Sequence, residues 1–243
     1  MNNKVVIVTD STCDLSPELI NKYGIVVVPL LVTFNDEVYQ DGVTLTTSKL
    51  YELVEEKKML PKTASPSPSV FIEAFRPIIE AGKDIVYLGI GSGFSGTLQN
   101  AYLAKTEFEE GRIELVDSCN LSTGIGLLVL KAAKFASQGD DAKTIKRKLE
   151  EIVPKVHSQF VIDTFEYLHK GGRCSGMQAL IGTMFKIKPL IRVVNNKMVV
   201  AEKPRGKKMG LDAMIRDILS YVGRLDKDAV MITHSFASED EVE

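Results

Sequence analysis

The chain has 243 residues, 44% of them hydrophobic, and a mean hydropathy of +0.03, enough for a sizeable core in one large domain or two modest ones. Its 30 basic side chains against 32 acidic ones leave a formal charge of −2, so no strong field draws it to nucleic acid or to an anionic membrane. Three cysteines, Cys13, Cys119 and Cys174, lack metal-ligand spacing, which argues against a zinc site or a disulfide framework and for a reducing cytoplasm.

The first apolar run, Val5 to Val8, is too short for a signal sequence or a membrane span and reads as a strand. Ile25 to Val28, Ile85 to Leu88 and Ile113 to Val116 read the same way and alternate with helical patterns, which predicts βαβ units and a parallel sheet. Ser16 before Pro17 and Ser67 before Pro68 mark helix starts, and Gly139 follows a long helical run from Ser122 to Ser137. Ile145, Leu149 and Ile152 share one helical face, and Pro154 ends that pattern. This places a boundary between an α/β domain, 1–155, and an α+β domain, 156–243.

Past the boundary the pattern predicts a strand at Phe160 to Ile162, a short helix, a KGGR turn at 170–173 and an apolar helix from Met177 to Phe185. Leu190 to Val194 and Met198 to Ala201 flank Asn195 and Asn196, residues that tolerate the left-handed conformations of a tight hairpin. A basic turn from Lys203 to Lys208, a helix to about Gly223 and a strand at Val230 to Thr233 complete an antiparallel half. Ser238 with Glu239, Asp240 and Glu241 looks like the start of a helix whose body does not follow, so the expectation is a chain lacking its C-terminal segment.

The densest chemistry lies at 89–97, GIGSGFSGT, between a strand and a helix. Glycines let the backbone approach a ligand, and a helix start directs N–H groups and the positive dipole end at an anion. Gly91-x-Gly93-x-x-Gly96 matches the dinucleotide fingerprint, with Asp117 ending the next strand where a ribose-binding acid belongs. Against a nucleotide stand the turn's place outside the first βαβ unit and its hydroxyls Ser92, Ser95 and Thr97. The plainest reading is a tight turn with Ser95 capping a helix. A second hydroxyl segment, KTASPSPS at 62–69, offers Thr63 and Ser65 at another helix start, and if both starts share one end of the sheet, Thr63 and Ser95 converge on one small anion.

Several motifs, in order along nearly the whole chain, resemble the DegV family: DSTCDLS at 10–16, VVPL at 27–30, YQDGV at 39–43, TASPSPS at 63–69, SGFSGTLQNA at 92–101, VDS at 116–118 and KGGR at 170–173. The resemblance implies a protein that holds a long-chain fatty acid, such as palmitate, between an N-terminal α/β domain and a C-terminal domain with an antiparallel sheet. In some members it serves as the acyl-binding subunit of a bacterial fatty acid kinase. It implies that Thr63, matching the threonine of the family's TSQPS motif, and Ser95, the second serine of SGLSGT, bind the carboxylate. Ala64, Ser65 and Phe94 depart from those motifs, and the glycine-rich C-terminal segment whose histidine helps bind the carboxylate in the family is absent from this sequence.

The expected ligand is therefore a fatty acid, with a fatty acid kinase as partner and with no cofactor, metal or catalytic residue on this chain; a nucleotide-binding enzyme built on 89–97 is the alternative. No nucleic acid partner and no stable membrane insertion are expected. Leu180, Ile181, Met184 and Phe185 are candidates for the tail channel, since Met and aliphatic side chains adapt to a flexible chain. The basic turn with Lys203, Arg205, Lys207 and Lys208 is a candidate docking surface for the kinase. His157, His169 and His234 match no ligand motif.

Overall fold

A computed structural model describes residues 4–164, 166–175 and 187–235. Four parallel strands form the first sheet: β1 (Val5–Asp10), β2 (Val26–Val28), β6 (Asp84–Gly89) and β7 (Ile113–Asp117), in the order β2-β1-β6-β7. Alternate residues serve opposite faces. Ile7, Val86, Leu88 and Val116 pack against α1 (Pro17–Tyr23), α5 (Thr123–Ser137) and α6 (Ala142–Ile152). Val8, Ile85, Tyr87 and Ile113 pack against α3 (Pro68–Glu80) and α4 (Thr97–Lys105). Burial on both faces is why these strands read as unbroken apolar runs.

Helix boundaries follow local chemistry. Ser16 accepts from the Leu19 N–H and Asp141 from the Thr144 N–H, each satisfying an otherwise unpaired donor. Gly24, in the left-handed region, closes α1. Pro154 sits in a single 3₁₀ turn, Val153–Lys155, after α6.

Two further sheets flank the strand ends. β3 (Leu31–Phe34) pairs antiparallel with β4 (Glu37–Gln40) and with β5 (Lys62–Ala64), and α2 (Thr47–Lys57) packs Leu53 against Val32 and Phe34. The last sheet runs β8 (Gln159–Val161), β10 (Leu190–Val194), β11 (Lys197–Glu202), β9 (Cys174–Ser175). The β10–β11 hairpin turns at Asn195 and Asn196, both at positive φ, as their side chains favour. This sheet is antiparallel except at one edge, where β9 lies parallel to β11. A short helix, α7 (Glu166–Gly171), precedes β9, and α8 (Lys207–Leu219) packs Gly210 and Ala213 toward β8.

The expected α/β arrangement, with a parallel sheet followed by a largely antiparallel one, is the one observed. One predicted strand is wrong: Val230 to Thr233 joins no sheet, and Ile232 is 80% exposed. β-Propensity reports fit to a half-buried pleated surface, and among the described residues no strand neighbours this segment to supply one. The last helix also stops earlier than expected, at Leu219, with turns following. The apolar helix expected at Met177 to Phe185, with its candidate tail-channel residues, and the helix start at Ser238 lie outside the described residues.

Candidate functional site

The chain leaves β1 in one direction to β2 and returns on the other side to β6, so β1 and β6 are neighbours whose connections diverge. A crevice outside the carboxyl ends of two such strands is where open α/β sheets bind ligands. The two strands end at Asp10 and at Gly89, which opens the glycine-rich turn.

Asp10 holds that turn from below. It is fully buried and accepts from the Ile90 N–H (2.8 Å), the Tyr87 hydroxyl (3.1 Å) and the Thr12 N–H (3.1 Å). Burial raises its pKa above the ordinary carboxylate value, against the opposing pull of those donors, and burial likewise pushes the Tyr87 hydroxyl well up. Gly89 leaves room for this pair, since a Cβ there would collide with the Asp10 carboxylate and the Tyr87 hydroxyl.

Asp117 holds the turn from the side. Its carboxylate accepts from the Ser92 N–H (3.1 Å), the Ser92 hydroxyl and the Cys119 N–H (3.0 Å). Asn196, at the tip of the β10–β11 hairpin, donates to Ser92 Oγ (3.0 Å) and to Asp117 (3.3 Å). Gly91 and Gly93 face this hairpin, and a Cβ on either would run into Asn196. The two glycines thus admit a protein strand tip where a dinucleotide loop admits pyrophosphate.

Five of the turn's N–H groups are also engaged. Ile90 donates to Asp10, Gly91 to the Asn120 carbonyl, Ser92 to Asp117, and both Phe94 and Ser95 to the Gly91 carbonyl. A phosphate cradle needs free donors pointing outward. With Asp117 bound to its own turn and Asn196 seated against Gly91 and Gly93, the geometry opposes the nucleotide alternative.

Hydroxyls face the adjacent space instead. Ser95 Oγ lies 3.1 Å from Ser65 Oγ and 2.8 Å from Thr97 Oγ1, while Thr97 Oγ1 donates to Ser65 Oγ at 3.1 Å. Asn100 on α4 donates to the Pro66 carbonyl (2.8 Å) and so ties the two hydroxyl segments together. Ser95 does not cap α4 in the usual way, because Gly96 is the N-cap residue; its oxygen accepts instead from the Thr97 N–H at 3.3 Å.

A cavity of about 340 Å³ opens beside these groups, within the range of small-molecule sites. Thr63 on β5, Ser65 and Ser95 line its polar side. Leu30, Ile90, Phe94, Leu121 and Met198 line its apolar side, several of them in the core that joins the glycine-rich turn to the last sheet. Tyr167, Leu168 and Arg173 also line it. Thr63 and Ser95, the two residues singled out from sequence, thus border one cavity.

Sequence reasoning passed over two features. Arg173, the charged side chain among the described lining residues, belongs to the KGGR segment that reads equally as a plain turn. Ser65 and Thr97 read as ordinary loop and turn hydroxyls, since nothing in a sequence shows that positions 65 and 97 meet. The three histidines are exposed and absent from the described lining; His157 stacks on Tyr221 with centroids 4.5 Å apart. Among the described residues no cluster of His, Cys, Asp or Glu suits a metal ion, and no helix is long and apolar enough to cross a membrane.

Residues 4–243 match the profile of the DegV family of uncharacterised proteins. The chain belongs to the DegV family. A DegV domain-containing protein of Clostridium perfringens is 38% identical over 230 residues, covering 95% of this chain and 82% of that protein. Among solved structures, a fatty acid-binding DegV family protein from Thermus thermophilus superimposes with a TM-score of 0.82 at 32% identity, over 89% of this chain and 77% of that one. A stearic acid-binding protein from Eubacterium ventriosum gives 0.82 at 26% identity, over 91% and 78%. In this DegV chain the glycine-rich turn and the hairpin both line the cavity, through Phe94 and Met198.

Proposed function

We propose that this protein binds one long-chain fatty acid, its carboxylate against Thr63 and Ser95 and its tail along the apolar side of the cavity, between the α/β part, 1–155, and the α+β part, 156–243. The observation that carries this reading is a cavity lined both by the hydroxyls of Thr63, Ser65 and Ser95 and by a cluster of aliphatic and aromatic side chains. A carboxylate is satisfied by hydroxyl donors, and the sign of Arg173 is favourable to it. Each methylene withdrawn from water contributes about 0.8 kcal/mol, so the tail supplies most of the affinity. Family members with bound or named fatty acids support the same ligand class.

The protein acts as a carrier. The hydrogen-bond partners of Ser95 among the described residues are Ser65 and Thr97, neither of which can serve as a general base at neutral pH. A fatty acid kinase takes the presented carboxyl group and supplies the chemistry from its own ATP site. The basic turn is its docking surface: Lys203, Arg205 and Lys208 are exposed, whereas Lys207 is paired with Asp163 at 3.2 Å.

Native mass spectrometry of protein purified from cells tests the ligand. A co-purified long-chain acid is expected, and ligand-free protein that binds NAD or ATP would overturn the reading. Ser95→Ala should weaken binding of palmitate about tenfold, the worth of one hydrogen bond to a charged group. With purified kinase, Arg205→Glu should slow acyl phosphate formation; a full rate would dismiss the docking surface.

A further inference from the structure

Ser95 is one corner of a hydroxyl triangle, and the proton count within it is informative. Each hydroxyl has a single hydrogen to donate. Thr97, fully buried, donates its hydrogen to Ser65. The 2.8 Å contact between Ser95 and Thr97 is then a hydrogen bond only if Ser95 is the donor. With that hydrogen committed, the 3.1 Å contact between Ser65 and Ser95 requires Ser65 to donate. The result is a closed one-way ring, Thr97 to Ser65 to Ser95 to Thr97, which uses all three hydrogens.

An ionised carboxylate brings acceptors and no hydrogen, so the ring must release a donor. Releasing it from Ser95 strands nothing. Thr97 still donates to Ser65, Ser65 still donates to Ser95, and Thr97 Oγ1 merely loses an accepted bond. Ser95 meanwhile continues to accept from Ser65 and from the Thr97 N–H. Such accepted bonds polarise the hydroxyl and strengthen the bond it makes outward. Releasing a hydrogen from Thr97 instead would turn a buried donor away from its acceptor.

We propose that Ser65 and Thr97 are positioning residues for the fatty acid head group: together they feed hydrogens to Ser95 so that Ser95 turns its own hydrogen onto the carboxylate. The relay rests on the fatty acid reading and specifies how its head-group site works. It has a built-in reserve. If Ser65 is lost, Thr97 can donate directly to Ser95, and if the Thr97 hydroxyl is lost, Ser65 still does.

The test measures palmitate affinity in the full chain, unmodified and in six variants. Ser65→Ala and Thr97→Val should each weaken binding by no more than about threefold, and the double variant about tenfold, because only it leaves Ser95 without a hydroxyl donor. Added to Ser95→Ala, the double variant should cause no further loss, since both residues act through Ser95. Thr97→Ser should keep the unmodified affinity. A double variant that binds like the unmodified chain overturns the relay. So does a triple variant weaker than Ser95→Ala, which would assign Ser65 and Thr97 to direct ligand contact or to folding. Unmodified chain that binds no palmitate overturns the fatty acid reading and the relay with it, whereas normal binding with an unaffected double variant overturns the relay alone.

Discussion

The two sheets that meet at the cavity are supported very differently. The parallel sheet has a core on each face, with Ile125, Leu128 and Leu149 fully buried on one side and Phe71, Phe75 and Ala101 on the other. The last sheet shares a smaller core with the glycine-rich turn, and α8 across its other face leaves Met209, Ile215 and Leu219 more than half exposed. Polar groups show the same contrast. Asp10 is enclosed by donors from its own sheet and turn, whereas among the described residues the hairpin's side-chain hydrogen bonds to the turn come from the half-buried amide of Asn196. The difference separates a platform, which fixes Ser95 and Thr97, from an attached cover, which contributes Met198 and Arg173 to the cavity.

Breaking the platform should cost most. Phe71 is fully buried against Phe75 and Tyr87, with centroids 5.7 and 5.3 Å away, so Phe71→Ala should lower the unfolding free energy by about 3 to 5 kcal/mol in urea titrations. A loss under about 1 kcal/mol would mean that this core collapses around the gap and is less rigid than its packing implies. Separating the cover should cost less. Gly93→Ala forces a methyl group into Asn196 and should destabilise by about 1 to 3 kcal/mol. Its more telling effect is local: amides of β10 and β11 should lose hydrogen-exchange protection while those of β1 and β6 keep theirs. Equal loss in both sheets would erase the distinction between platform and cover.

The platform was the legible part of the sequence, because it has a core on each face. Strands buried on both faces must be continuously apolar, so Val5 to Val8 and Ile85 to Leu88 stand out. The small sheet carrying Thr63 does not: Glu37–Gln40 and Lys62–Ala64 are mostly exposed and held by backbone pairing, which leaves little hydrophobic pattern. Val230 to Thr233 shows the converse, an apolar run with no partner strand among the described residues. At the site, Thr63 and Ser95 can be picked out because Pro and Gly mark the turns that carry them. What the glycines accommodate cannot be read locally, since Asn196 lies 104 positions beyond Ser92. A separation of 30 and 32 positions likewise hides the meeting of Ser65 with Ser95 and Thr97.

The smallest effect should come from pH, and it probes a fully buried carboxyl of the platform. Burial raises the Asp10 carboxyl above its ordinary value of 3.8, so the folded protein retains this proton in a range where the unfolded chain has released it. The stability contributed by that retention is fully present below the unfolded value and is lost as pH rises through the raised one. Asp10→Asn cannot titrate. Its stability should lie below that of the unmodified protein because an amide cannot accept from all the donors around Asp10, and the gap between the two should narrow as pH rises from about 4 toward neutrality and then level off. Urea midpoints for both proteins across that range decide the point. A gap that widens with pH would mean that the donors from Ile90, Thr12 and Tyr87 outweigh burial, making the ionised carboxylate a net support of the glycine-rich turn.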